Sequence, residues 1–218
     1  MDEFTRNLIV RRWETMLEAV NRLGGRVDPL IVEPPATKAD VESLERRLGT
    51  SLPAALRDVL LTFSRSVEFR WFLPDDYRLP AEFRHIFCGD CHWSIESIEM
   101  SNEGKEHWIK VVFPDPSDPY DAVWHDVLAV QDVGNGDYLA IEIRANEPNP
   151  VTYLSHDDGE GHGLKLGEDF KDFLLRWSRL GCVGAEDWQW LPFATADGSL
   201  DPNCDLATSY RALIGAQI

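Results

Sequence analysis

Between Leu128 and Asp158, two apolar runs flank Asn135-Gly136-Asp137 and a third ends at His156-Asp157-Asp158, a pattern that constrains this stretch to antiparallel strands. Leu128, Ala129, Val130 and Val133 precede the turn, and Tyr138 to Ile143 follow it. Asn-Gly accepts positive φ at successive positions more readily than other dipeptides, so strand, tight turn, strand is the economical reading. A second turn across Asn146-Glu147-Pro148-Asn149-Pro150 leads into Val151-Thr152-Tyr153-Leu154, another short run of strand formers. The segment spells a three-stranded meander.

Helical signals lie on both sides of it. Leu8, Ile9, Trp13, Met16, Leu17, Val20 and Leu23 recur at helical spacing, which predicts a helix over about 4–23 stopped by Gly24-Gly25. Pro29, Pro34 and Pro35 make an extended linker. Thr37, with Asp40 in the first turn, caps a second helix whose stripe is Val41, Leu44 and Leu48 and whose terminator is Gly49. A third starts with Pro53 as its first residue and buries Leu56, Val59, Leu60 and Phe63. Phe69 to Trp124 reads as aromatic and short β-type runs cut by loops, with Pro114 to Pro119 the clearest loop. Ser155 to Gly163 is a polar, glycine-rich loop, and a fourth helix follows from about Glu168 with Phe170, Phe173, Leu174 and Trp177 on one face. In the tail, Leu206, Tyr210, Leu213 and Ile214 mark a short amphipathic segment. Helices, then strands, then helices predict an α+β fold, with a largely antiparallel central sheet and helices packed on one side.

The net charge of -17 is unevenly placed. Residues 71–218 hold 10 Lys or Arg against 27 Asp or Glu, whereas residues 1–70 are balanced at 11 and 11. Such a surface disfavours nucleic acid and anionic lipid and favours steering toward a basic protein, with plain solubility as the competing reading. No apolar run reaches the roughly 18 to 20 residues of a membrane helix, and Met1-Asp2-Glu3-Phe4 opens with acids where an export signal would be basic. A cytoplasmic protein is expected. Cys88, Cys91, Cys182 and Cys204 are then read as reduced thiols.

Two constellations carry possible chemistry. Cys88-Gly89-Asp90-Cys91-His92, with His85 upstream, has the spacing of covalent haem attachment and of a short metal site. Haem attachment needs an oxidising compartment, and a structural zinc site usually draws ligand pairs from separated segments, so two ordinary thiols are the preferred reading. Ser155-His156-Asp157-Asp158-Gly159-Glu160-Gly161-His162-Gly163 gathers carboxylates and imidazoles that suit a cation or acid/base work, although it lacks the alternating ligands of an EF-hand loop. A solvated connection is the blander reading, as it is for Asp115, Asp118 and Asp121. No nucleophile elbow, zinc-protease helix, phosphate loop or dinucleotide fingerprint is present in the sequence. No catalytic residue, cofactor or metal is therefore expected.

Residues 36–63, the Leu128–Ile143 stretch with its Asn135-Gly136-Asp137 turn, Pro150 to Asp157, and Phe170-Lys171-Asp172-Phe173-Leu174 together resemble the SUKH superfamily. That group includes immunity proteins against bacterial toxins and a fungal branch tied to cell-wall synthesis. The resemblance covers about 36–180, so one domain over 1–218 is expected, with an N-terminal helix at about 4–23 and a C-terminal extension at 182–218. It implies a non-enzymatic protein that binds another protein: an immunity protein occluding a cognate toxin, a basic toxin domain being the partner its charge suits, or alternatively an intracellular scaffold or regulatory module. A metal protein or enzyme built on Cys88, Cys91 and His92, or on His156, Asp157 and His162, is a third alternative. Asp157, Asp158 and Glu160 on a flexible loop are the candidate partner-binding acids. Trp188 and Trp190, alternating around Gln189, are candidate exposed anchors, with docking of the tail onto its own domain as the competing use.

Overall fold

The computed structural model describes residues 1–143, 148–196 and 198–218. Helix α1 (Glu3–Arg22) is capped by the Asp2 carboxylate, which accepts from the Thr5 N–H, and its apolar face buries Ile9, Trp13, Met16 and Val20. Strands β1 (Arg26–Val27) and β2 (Ile31–Val32) follow. Helix α2 (Lys38–Leu48) opens on a capping box between Thr37 and Asp40 and ends at Gly49, whose φ of 68° is left-handed. Pro53 is the cap of α3 (Ala54–Thr62) and not its first residue. Strand β3 (Ser66–Phe72) takes β1 and β2 on one edge and β4 (Cys88–Ser94) on the other, all antiparallel.

Helix α4 (Ser97–Val111) corrects the expectation of β-type runs and loops through this region. Its buried positions Ile98, Ser101, Asn102 and Lys105 follow helical spacing, but three of the four are polar, so hydrophobic periodicity does not reveal it. The polar face meets the open edge of β5 (Val127–Asp132). The Asn102 side chain donates to the Ala129 carbonyl at 2.9 Å and accepts from the Ala129 N–H at 3.1 Å, as a neighbouring strand would. The Lys105 ammonium donates to the Val127 carbonyl at 2.8 Å. Backbone groups that would otherwise offer a pairing edge are thereby satisfied.

Strands β5, β6 (Tyr138–Glu142), β7 (Val151–Leu154) and β8 (Lys165–Gly167) form the second antiparallel sheet in that order. The expected meander is present, and β8 extends it. The connection of β5 to β6 is longer than a two-residue turn: a register shift falls between Ala129 and Gln131, and positive φ occurs at Gly134 and Gly136, with Asn135 outside that region. Of the turn expected at 146–150, Asn146 and Glu147 lie outside the described residues.

Seven helices and two four-stranded antiparallel sheets among the described residues make the fold α+β. Both faces of the second sheet are covered, which explains why successive residues of β5 to β7 are buried without alternation. Leu128, Val130, Leu139, Ile141, Val151 and Tyr153 face the main core, which α1, α3 and α5 (Phe170–Arg179) line. Val127, Ala129, Tyr138, Ala140 and Leu154 face a smaller cluster with Phe113 and Trp124. The tail, with α6 (Asp187–Trp190) and α7 (Asp205–Ile214), joins the main core through stacked Phe83 and Phe193, with Tyr210 packed on both. Among the described residues, no helix is long and apolar enough to cross a membrane.

Candidate functional site: an acidic face built on a buried carboxylate

The loop after β7 carries the three candidate acids, and its shape is set by side chains. Tyr120 donates its hydroxyl to the Ser155 carbonyl at 2.6 Å and accepts from the Asp158 N–H at 3.0 Å. The Ser155 hydroxyl donates to Asp157 at 2.9 Å and accepts from the Gly159 N–H at 3.0 Å. The Gly161 N–H donates to Asp187 at 2.9 Å, tying the loop to α6. A side chain at Gly161 would run into Asp187 and Trp190, so this approach requires glycine. Asp158 holds a positive φ of 63° inside this network. The expectation of a flexible loop is corrected: the backbone is pinned while Asp157, Asp158 and Glu160 stay exposed.

His162 is one of the pins. Its ring stacks on Tyr120 at 3.7 Å between centroids and 14° between planes. Nδ1 accepts from the Ser155 N–H and Nε2 donates to the Tyr120 carbonyl, both at 3.0 Å, which fixes a neutral tautomer. Burial pushes its pKa down, against the pull of Asp137 and Asp158.

Beneath the loop sits Asp137, 2% exposed. One carboxylate oxygen accepts from the backbone N–H and Nδ1 of His156 at 2.8 and 2.7 Å. The other accepts from the Tyr153 hydroxyl at 2.5 Å and the Asn135 amide at 2.9 Å. Burial and the neighbouring Asp137 push the Tyr153 phenol strongly upward, so it is a donor at any ordinary pH. Ligand atoms of Asp137, His156 and Asp157 lie within 4.8 Å of one another, a spacing that suits a cation. Both Asp137 oxygens already accept two donors each, and the Ser155 hydroxyl is engaged with Asp157. The arrangement is suited to holding the β5–β6 loop against the end of β7.

The Cys88-to-His92 constellation does not assemble. Successive side chains alternate on β4, so Cys91 points into the core with Cys182 while Cys88 and His92 lie on the opposite face. His92 bonds Asp90 at 2.8 Å, and burial raises the pKa of the Cys88 and Cys182 thiols, which disfavours the thiolate. His162 likewise stands apart from the Asp137, His156 and Asp157 group, held against Tyr120.

Of the two tryptophan anchors, Trp190 is corrected: it is 1% exposed, edge-on to Tyr153 at 5.4 Å, because Asp187–Trp190 is a helical turn and not an alternating strand. Trp188 remains partly exposed beside Phe87. Sequence reasoning missed Asp137, Glu186 and Asp187. Among the described residues, Asp157, Asp158, Glu160, Glu186 and Asp187 pair with no Lys or Arg. Burial, with Asp137, Asp187 and Asp157 nearby, raises the Glu186 carboxyl. The result is a preorganised acidic face with an aromatic margin.

The family model described as SMI1 / KNR4 family (SUKH-1) matches residues 35–176, which takes in α2 through most of α5 and leaves α1 and the 186–188 margin outside. No curated protein matches the chain.

Proposed function

The chain belongs to the SMI1/KNR4 family (SUKH-1), and on that premise we propose that it is a protein-binding immunity protein that neutralises a cognate toxin by occluding it. It acts in the cytoplasm and performs no chemistry of its own. The observation that carries this reading is the pinned loop with Asp157, Asp158 and Glu160 exposed and uncompensated above the Asp137 node. A fixed anionic surface accelerates encounter with a basic groove, and little ordering entropy is lost when it docks.

The gene's neighbourhood and association kinetics test it. Adjacency to a secreted protein with a variable C-terminal toxin domain supports the reading, and a solitary gene in a metabolic operon opposes it. Against that toxin, Asp157→Asn, Asp158→Asn and Glu160→Gln combined should keep the fold but slow association, chiefly at low ionic strength. An on-rate and salt dependence equal to the parent's would remove the loop as the steering surface. Recovery of a stable endogenous partner from cells without toxin would favour the scaffold alternative, and stoichiometric zinc or calcium in the purified protein would favour the metal one.

A further inference from the structure

Trp188 and Glu186, beyond the matched segment, meet Phe87 within it and add an aromatic margin to the acidic face. Phe87, just before β4, is 51% exposed, and its ring lies 5.8 Å from that of Trp188 with planes 32° apart. His85 meets Trp188 edge-on at 5.9 Å and accepts from the Arg84 Nε–H at 2.8 Å. The Trp188 indole N–H donates to Glu186 at 2.7 Å, so the polar end of the ring is satisfied while part of its apolar surface stays open. The second Glu186 oxygen accepts no hydrogen bond among the described residues. That carboxyl is partly buried, surrounded by like charges, and without a cationic partner among the described residues.

An apolar occupant would cover Phe87 but leave the Glu186 carboxylate desolvated and unpaired, which is costly. Lysine would supply a point charge but no flat surface for the rings. A guanidinium does both: its plane stacks on an aromatic face while an edge N–H reaches a carboxylate. We propose that Phe87, Trp188 and Glu186 form an anchor site for an arginine side chain of the partner protein. This rests on the protein-binding reading above and adds the residue type that the surface selects.

The test titrates an acetylated, amidated Gly-Arg-Gly-Arg-Gly peptide and its lysine counterpart into the full chain. The readout is the indole N–H resonance of Trp188 among the eight tryptophans, assigned with Trp188→Phe. The arginine peptide should move that resonance and bind about three- to fivefold more tightly than the lysine peptide, as one exposed cation–π contact supplies. Phe87→Ala and Glu186→Gln should each bring the two peptides to parity, with the resonances of buried Trp13 and Trp177 unmoved as a check on folding. Equal affinities for the parent, or a Trp188 resonance that stays put at saturation, overturn the anchor. If a cognate toxin binds Phe87→Ala and Glu186→Gln as it binds the parent, yet weakens when the loop acids are neutralised, the anchor falls and the immunity reading stands. Arginine selectivity in a chain that binds no toxin keeps the anchor and removes the immunity reading.

Discussion

Replacing Asp137 by Asn keeps the size and shape of the side chain and changes only what its oxygens can accept. The parent carboxylate takes four hydrogen bonds in a site 2% exposed, two from His156, one from Tyr153 and one from Asn135. Four bonds to a charged group, at about 1.5 to 3 kcal/mol each, would sum to more than the variant should lose. In Asp137→Asn the remaining oxygen still serves His156, and removing the charge relieves its desolvation. The new amide nitrogen, however, faces two donors. Tyr153 is able to turn its hydroxyl, but the Asn135 amide is held in place because its own oxygen accepts from the backbone N–H of residue 137 at 2.9 Å. We therefore expect a loss of about 3 kcal/mol, the sum of one unmatched donor and weakened neutral bonds. In a chain of this size that corresponds to roughly 6 to 12 °C in Tm. Urea unfolding of Asp137→Asn, Tyr153→Phe and the double variant measures it, with an unchanged m-value and a coupling of at least about 1 kcal/mol between the two sites. A loss of less than about 0.5 kcal/mol for Asp137→Asn, or strict additivity with Tyr153→Phe, would refute the idea that this carboxylate fastens the two loops together.

Three further outcomes are expected. The depressed pKa of buried His162 means that the unfolded chain takes the proton first: its stabilising effect is complete above about pH 6.5, declines as pH falls below that, and is lost once pH passes the folded value. Urea midpoints between about pH 7.5 and 5 should show this slope, and His162→Asn, whose amide oxygen replaces Nδ1 as the acceptor for Ser155, should flatten it. Leu60→Ala and Phe173→Ala, at sites 0% and 2% exposed, should each cost about 2 to 5 kcal/mol in chemical denaturation, and midpoints equal to the parent's would mean that the core is wrongly assigned. Gly136→Val should destabilise as well, because φ is +110° there and a Cβ would lie 3.2 Å from both His156 and Trp108; an unchanged Tm would argue against this loop geometry.

What the sequence determined for this protein is what depends on near neighbours. Thr37, Asp40 and Gly49 bound α2 through contacts within a single turn, and the apolar spacing of α1, α3 and α5 is written in consecutive residues. The runs around Asn135-Gly136 and Val151 specify strands because a β-rich stretch between turn residues has few alternatives. The order and spacing of these elements carried the family. Tertiary structure decided whatever depends on a partner far along the chain. Helix α4 escaped notice because Asn102 and Lys105 bury their polar atoms against backbone that lies more than twenty residues away. Asp137 reads as an ordinary turn acid until Tyr153 and His156 close over it. Cys88 and Cys91 look like a ligand pair until strand geometry sends them to opposite faces, and Trp190 looks like a twin of Trp188 until a helical turn separates them. Periodicity records which way a side chain points along its own element; it holds no record of what waits there, and for a polar side chain that is what settles whether it is solvated, structural or available to a partner.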